Sequence, residues 1–135
     1  MHITKILLPL DGSESSRTTA TYAADLAGKV NAEIVLLICY EPLPEVPQAW
    51  PYPHTAQDMA TKSEEILDSC SGPVKESGVP YTQLVQEGRP ARTIAEVAEE
   101  EGCDLIIMGS TGMGELEGLL LGSVTHKVLH LATCP

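Results

Sequence analysis

Apolar and polar positions fall in blocks along this chain rather than alternating residue by residue. Lys5–Leu10 (KILLPL) and Glu33–Tyr40 (EIVLLICY) are short apolar runs bounded by turn residues. Runs of that length, continuous rather than alternating, predict strands covered on both faces of a parallel sheet. Between them Ala20, Ala23, Ala24 and Ala27 share one helical stripe. This predicts a helix from Ser13 to Gly28, with Ser13 or Ser15 as its cap and Gly28 as its stop. Glu41 to His54 holds five prolines and the only tryptophan, Trp50, and reads as an extended loop. Met59, Ile66, Leu67, Cys70 and Val74 then follow helical spacing, with Gly72-Pro73 set to end or kink that helix. Tyr81–Glu87 reads as a third strand. Pro90 opens a helix with Ile94, Val97 and Ala98 inward, Asp104–Met108 is a fourth strand, and a last helix spans Ser123–Leu131.

Strands that alternate with helices imply an α/β fold: a parallel sheet with right-handed crossovers and helices on both faces. No internal repeat or second domain is visible, so residues 1–135 read as one domain. In doubly wound sheets ligands bind beyond the carboxyl ends of strands where the winding reverses. If strands two and three lie to one side of strand one, and strand four to the other, the crevice lies between strands one and four. Two turn motifs fall there: Pro9-Leu10-Asp11-Gly12-Ser13 and Met108-Gly109-Ser110-Thr111-Gly112.

The second motif continues through a loop to Gly122-Ser123, where a helix begins. Small residues there let backbone N–H groups and a helix N-terminus approach a phosphate. Known phosphate motifs fail: no GxxxxGK[ST] string occurs, and a GxGxxG begun at Gly112 and Gly114 meets Glu117 at its last position. Gly109 to Gly122 contains no lysine or arginine. A phosphate held here depends on backbone donors, the hydroxyls of Ser110, Thr111 and Ser123, and a helix terminus equivalent to roughly half a positive charge.

Charge sharpens this constraint. The formal net charge is −11, which argues against nucleic acid as a partner and sets a repulsive average field against any anionic ligand. No apolar run is long enough for a membrane span. The amino-terminal stretch lacks the form of a signal peptide, which points to the cytoplasm. Cys39, Cys70, Cys103 and Cys134 stand more than thirty residues apart with no CxxC pair, as expected of reduced, partly buried thiols.

Gly109-x2-Gly112-x9-Gly122-Ser123 resembles the G-x2-G-x9-G-[ST] pattern of the universal stress protein family, in its ATP-binding branch. ILLPLDGSE, EGRPARTI, CDLIIMGSTGMG and LLLGSVTHKVLHLATCP extend the likeness over nearly the whole chain. The resemblance implies a Rossmann-like sheet of the adenine nucleotide alpha hydrolase type, in order 3-2-1-4-5, that binds ATP or AMP, with Mg²⁺ a candidate companion of ATP. It places backbone atoms of Pro9 and Leu10 at the nucleoside and Asp11 on adenine or ribose. Cys39 stands where the family packs a small apolar residue on adenine, and Met108 begins the turn beside the nucleoside. Gly109, Thr111, Gly112, Gly122, Ser123 and Val124 would wrap ribose and phosphates, with Thr125 close by. The family usually forms homodimers through a last strand after the Cys-Pro pair; here the sequence reaches only Pro135, so that strand is expected to be absent or truncated.

Each feature also has a plainer reading. Asp11 can be a turn or cap residue. His126 and His130 stand four apart on a helix, but Lys127 follows His126 where a zinc motif needs Glu, so surface or capping roles fit better. Glu115 and Glu117 either help hold Mg²⁺ or are exposed loop charges. Trp50 and Tyr52 suit a lid, a partner site or packing onto the domain. Three functions follow: a nucleotide-binding regulatory module acting on an unidentified protein partner, a slow ATP-hydrolysing switch, or a structural subunit with an empty crevice. Hydrolysis needs charge neutralisation and an oriented water, and the loop offers hydroxyls and carboxylates without a basic side chain.

Overall fold

A computed structural model describes residues 2–42, 56–111 and 121–135. The elements run β1 (Lys5–Pro9), α1 (Ser15–Val30), β2 (Glu33–Tyr40), α2 (Ala56–Cys70), α3 (Gly72–Ser77), β3 (Tyr81–Glu87), α4 (Pro90–Glu100), β4 (Leu105–Ile106) and α5 (Ser123–Leu131). The sheet is parallel throughout, in order β3-β2-β1-β4.

The continuous apolar runs are explained by two cores. On one face Ile6, Leu8, Ile34, Leu36 and Ile38 pack with the α1 alanines and with Leu67, Cys70 and Val74 of the α2–α3 region. On the other, Leu7, Val35 and Leu37 pack with Ala91, Ile94, Val97 and Ala98 of α4 and Val128 of α5. Successive strand residues alternate between the two cores, as the pleat requires.

Several boundaries differ from the sequence reading. α1 runs past Gly28 and ends at Asn31, which takes the left-handed conformation at φ 56°. Asparagine tolerates that region, and its N–H closes on the Ala27 carbonyl. Neither Ser13 nor Ser15 caps α1; Glu14 holds the cap position without a side-chain hydrogen bond. The second helical pattern breaks into α2 and α3 at buried Ser71, just before Gly72-Pro73. β4 is assigned as two residues rather than five, although Asp104 N–H and Ile107 N–H still donate to the Lys5 and Leu7 carbonyls at 2.8 and 2.9 Å. The expected 3-2-1-4-5 order is realised as 3-2-1-4 among the described residues. On the outer edge of β4 the Ile106 N–H donates to the Pro135 carbonyl at 2.9 Å, and a single bond of that kind is not a ladder. The segment from Pro44 to His54, with Trp50 and Tyr52, lies outside the described residues. No helix among the described residues is long and apolar enough to cross a membrane.

Asp104 clips β4 to the entry of β1. Its Oδ2 accepts the Thr4 N–H and the Thr4 hydroxyl, both at 2.8 Å, and the Lys5 N–H at 3.1 Å. The Thr4 N–H leads these bonds in holding the carboxyl below its ordinary value of 3.8. Because the folded-state value is the lower one, the clip stabilises the fold above that ordinary value and loses its contribution as pH falls through the folded-state value. Asp104→Asn is therefore expected to lower the urea midpoint at pH 7, with the gap to wild type closing in acid below the ordinary carboxylate range. An equal gap in both conditions would contradict a charge-based clip.

Candidate functional site

The carboxyl ends of β1 and β4 lie side by side because β1 pairs with β2 on one edge and β4 on the other. Beyond them opens a cleft of about 240 Å³, just under the roughly 300 Å³ at which small-molecule pockets commonly begin. Pro9, Leu10 and Asp11 enter it from β1, Cys39 from β2, and Met108, Gly109 and Thr111 from beyond β4. Gly122, Val124 and Thr125 enter from the start of α5. Ser110 and Ser123 are exposed and do not line the cleft, and Gly112, Glu115 and Glu117 lie outside the described residues.

The two ends of the glycine loop are tied together at its base. The Gly122 N–H donates to the Ser110 carbonyl, and the Thr125 hydroxyl donates to the Gly109 carbonyl at 2.7 Å. Gly122 is buried, extended at φ −69° and ψ 158°, and is the cap residue of α5. The first turn of a helix has N–H groups without intrahelical acceptors. Its positive end therefore meets the cleft beside the loop base. Gly109 has its own reason to lack a side chain: a Cβ there would stand 3.3 Å from both Ser15 Oγ and the Thr111 carbonyl.

Asp11 is a turn residue that also lines the cleft. Its Oδ1 accepts the Ser13 N–H at 2.9 Å and the Ser16 hydroxyl at 3.1 Å, which organises the turn into α1. The side chain is also exposed at the cleft and is the sole carboxylate among the described lining residues. No lysine, arginine or histidine lines the cleft among the described residues. No group of three or more His, Cys, Asp or Glu side chains among the described residues is placed to hold a metal ion. His126 and His130 instead pack edge to face on α5, with ring centroids 4.8 Å apart.

The sequence reading missed Ser16 and Thr19 on α1, Leu37 on β2, and Pro90 and Ile94 on α4 as lining residues of the cleft. Ser13 and Ser15 line it too, although the sequence offered them only as caps. A signal was present: hydroxyl residues crowd the stretch Ser13 to Thr19 directly after the β1 turn. Leu37, Ile94 and Val124 belong to, or pack on, the apolar core beneath α4 and α5, as does Cys39. Burial pushes the Cys39 thiol up to about 12.

A family model described as the universal stress protein family matches residues 2–135. Universal stress protein MJ0531 of Methanocaldococcus jannaschii is 34% identical over 133 residues, covering 97% of this chain and 78% of that protein. A universal stress protein solved in complex with cAMP superposes with a TM-score of 0.75 at 23% identity, over 99% of this chain and 94% of that one. The universal stress protein from Archaeoglobus fulgidus solved in complex with dAMP gives a TM-score of 0.72 at 18% identity, over 100% and 96%. Identities this low speak for the fold.

The raised thiol yields a chemical test. Thiolate is the reactive form, so at pH 8 Cys39 in the folded protein is expected to react with a disulfide reagent roughly a thousandfold more slowly than in the unfolded chain. Peptide mass mapping over time reads this directly, and equal rates in the two states would contradict a buried, protonated thiol.

Proposed function

The chain belongs to the universal stress protein family, and we propose that it binds an adenine nucleotide, ATP or AMP, in the cleft between β1 and β4. The observation that carries this reading is the meeting of three features at one point. The base-tied glycine loop, the amino end of α5 and the carboxyl tip of β1 share a single cleft. An apolar wall of Leu37, Cys39, Ile94 and Val124 suits a flat base. Backbone N–H groups and hydroxyls suit ribose and phosphate. The G-x2-G-x9-G-[ST] spacing favours the ATP-binding branch, and the relatives solved with cAMP and dAMP make an adenine nucleotide the natural ligand class.

In this reading Asp11 contacts adenine or ribose, and a Mg²⁺ ion brought in by ATP would find in Asp11 the one carboxylate among the described lining residues. The protein acts as a cytoplasmic regulatory module. Nucleotide in the cleft biases the protein toward one state, and a protein partner, or a second copy of the chain, responds to that state. Among the described residues the lining offers hydroxyls and one carboxylate but no basic group to neutralise a transferring phosphoryl, which favours binding over turnover.

Calorimetry with AMP and with Mg-ATP tests the reading, and absence of both heat and thermal shift at millimolar nucleotide would overturn it. Gly122→Val is expected to cost at least about tenfold in AMP affinity while the melting temperature holds, because it sets a side chain at the phosphate face of the α5 cap. Asp11→Ala is expected to weaken adenosine, AMP and ATP by a similar factor of about ten. A loss confined to ATP would move Asp11 to the phosphates or the metal.

A further inference from the structure

The cleft is two-sided in a way the glycine pattern does not describe. Opposite the apolar wall stands the start of α1, which contributes Ser13, Ser15, Ser16 and Thr19. Two of these hydroxyls are already committed: Ser16 donates to Asp11 Oδ1, and Thr19 donates to the Ser15 carbonyl at 2.9 Å. The other two form a pair, with Ser13 Oγ and Ser15 Oγ 3.1 Å apart. One proton is used in the bond between them. The second has no acceptor among the described residues, so the pair presents one O–H donor to the cleft.

That donor stands beside the loop. Ser15 Oγ lies 3.3 Å from where a Gly109 Cβ would be, and the Gly109 carbonyl is already occupied by Thr125. A ligand oxygen lying along the Gly109 turn therefore meets Ser15 on the α1 side and the α5 terminus on the other. A lysine or arginine at this place would compete for the neighbouring Asp11 carboxylate, whereas a hydroxyl donates without an opposite charge.

We infer that Ser15, backed by Ser13, is a specificity-determining residue that donates its hydroxyl to the phosphoryl end of the ligand and distinguishes a nucleotide from its nucleoside. This rests on the nucleotide-binding reading above. Ser15 touches the anionic group, and Asp11 the nucleoside, so the two residues separate by ligand.

The test is calorimetry of wild type and Ser15→Ala with adenosine, AMP and ATP, alongside thermal melts that check folding. Ser15→Ala is expected to lose about five- to tenfold for AMP and ATP and to stay within about twofold of wild type for adenosine. Equal losses for adenosine and AMP, or no loss for any ligand, would overturn the assignment. Raising salt from about 0.05 to about 0.5 M is expected to hold or improve AMP affinity, since screening weakens the acidic protein's field and no basic side chain is lost. A steep fall with salt would reveal a cationic reader and overturn it too. Failure of wild type to bind all three ligands would mean that the nucleotide reading itself has failed.

Discussion

Strand β1 is hydrogen-bonded along both edges, and the site follows from that arrangement together with the handedness of its crossovers. The chain steps outward from β1 to β2 to β3, and right-handed connections put α1, α2 and α3 on one face. It then returns across the sheet to lay β4 against the free edge of β1. The same handedness in the opposite direction puts α4 and α5 on the other face. The reversal leaves no helix directly over the carboxyl ends of β1 and β4, so a crevice opens there. Asp104 strengthens the junction by gripping the backbone just ahead of β1.

Close approach of main chain to main chain shapes what the crevice can hold. The loop after β4 begins with a glycine set against the α1 hydroxyls and returns to another glycine at the cap of α5. Two hydrogen bonds across its base hold these ends together. The geometry of the loop base therefore depends on α1 and α5, which are far apart in sequence.

The electrostatics are local. A chain with a net charge of −11 repels an anion at a distance. Among the described residues the cleft is lined by an apolar wall, neutral hydroxyls, a helix amino terminus and one carboxylate engaged in its own turn. Oriented dipoles of this kind are able to hold an anion without a formal positive charge, which is the physical basis of the proposed nucleotide site.

Much of this was legible in the residues. Continuous apolar runs marked strands buried on both faces, because only a parallel sheet covered twice removes every side chain from water. The turn at Asp11 and the glycine spacing from Gly109 to Gly122 marked the two edges of the crevice. Local chemistry decided less than it promised at the helix ends. Gly28 continued a helix that Asn31 ended, and Asp11 organised the turn where a serine cap was expected. What only the tertiary structure decided is the wall contributed by α1 and α4. Ser15, Thr19, Pro90 and Ile94 line the cleft only because of the elements packed opposite them, and a pattern read along one chain direction holds no information on which distant surfaces will face each other across a gap.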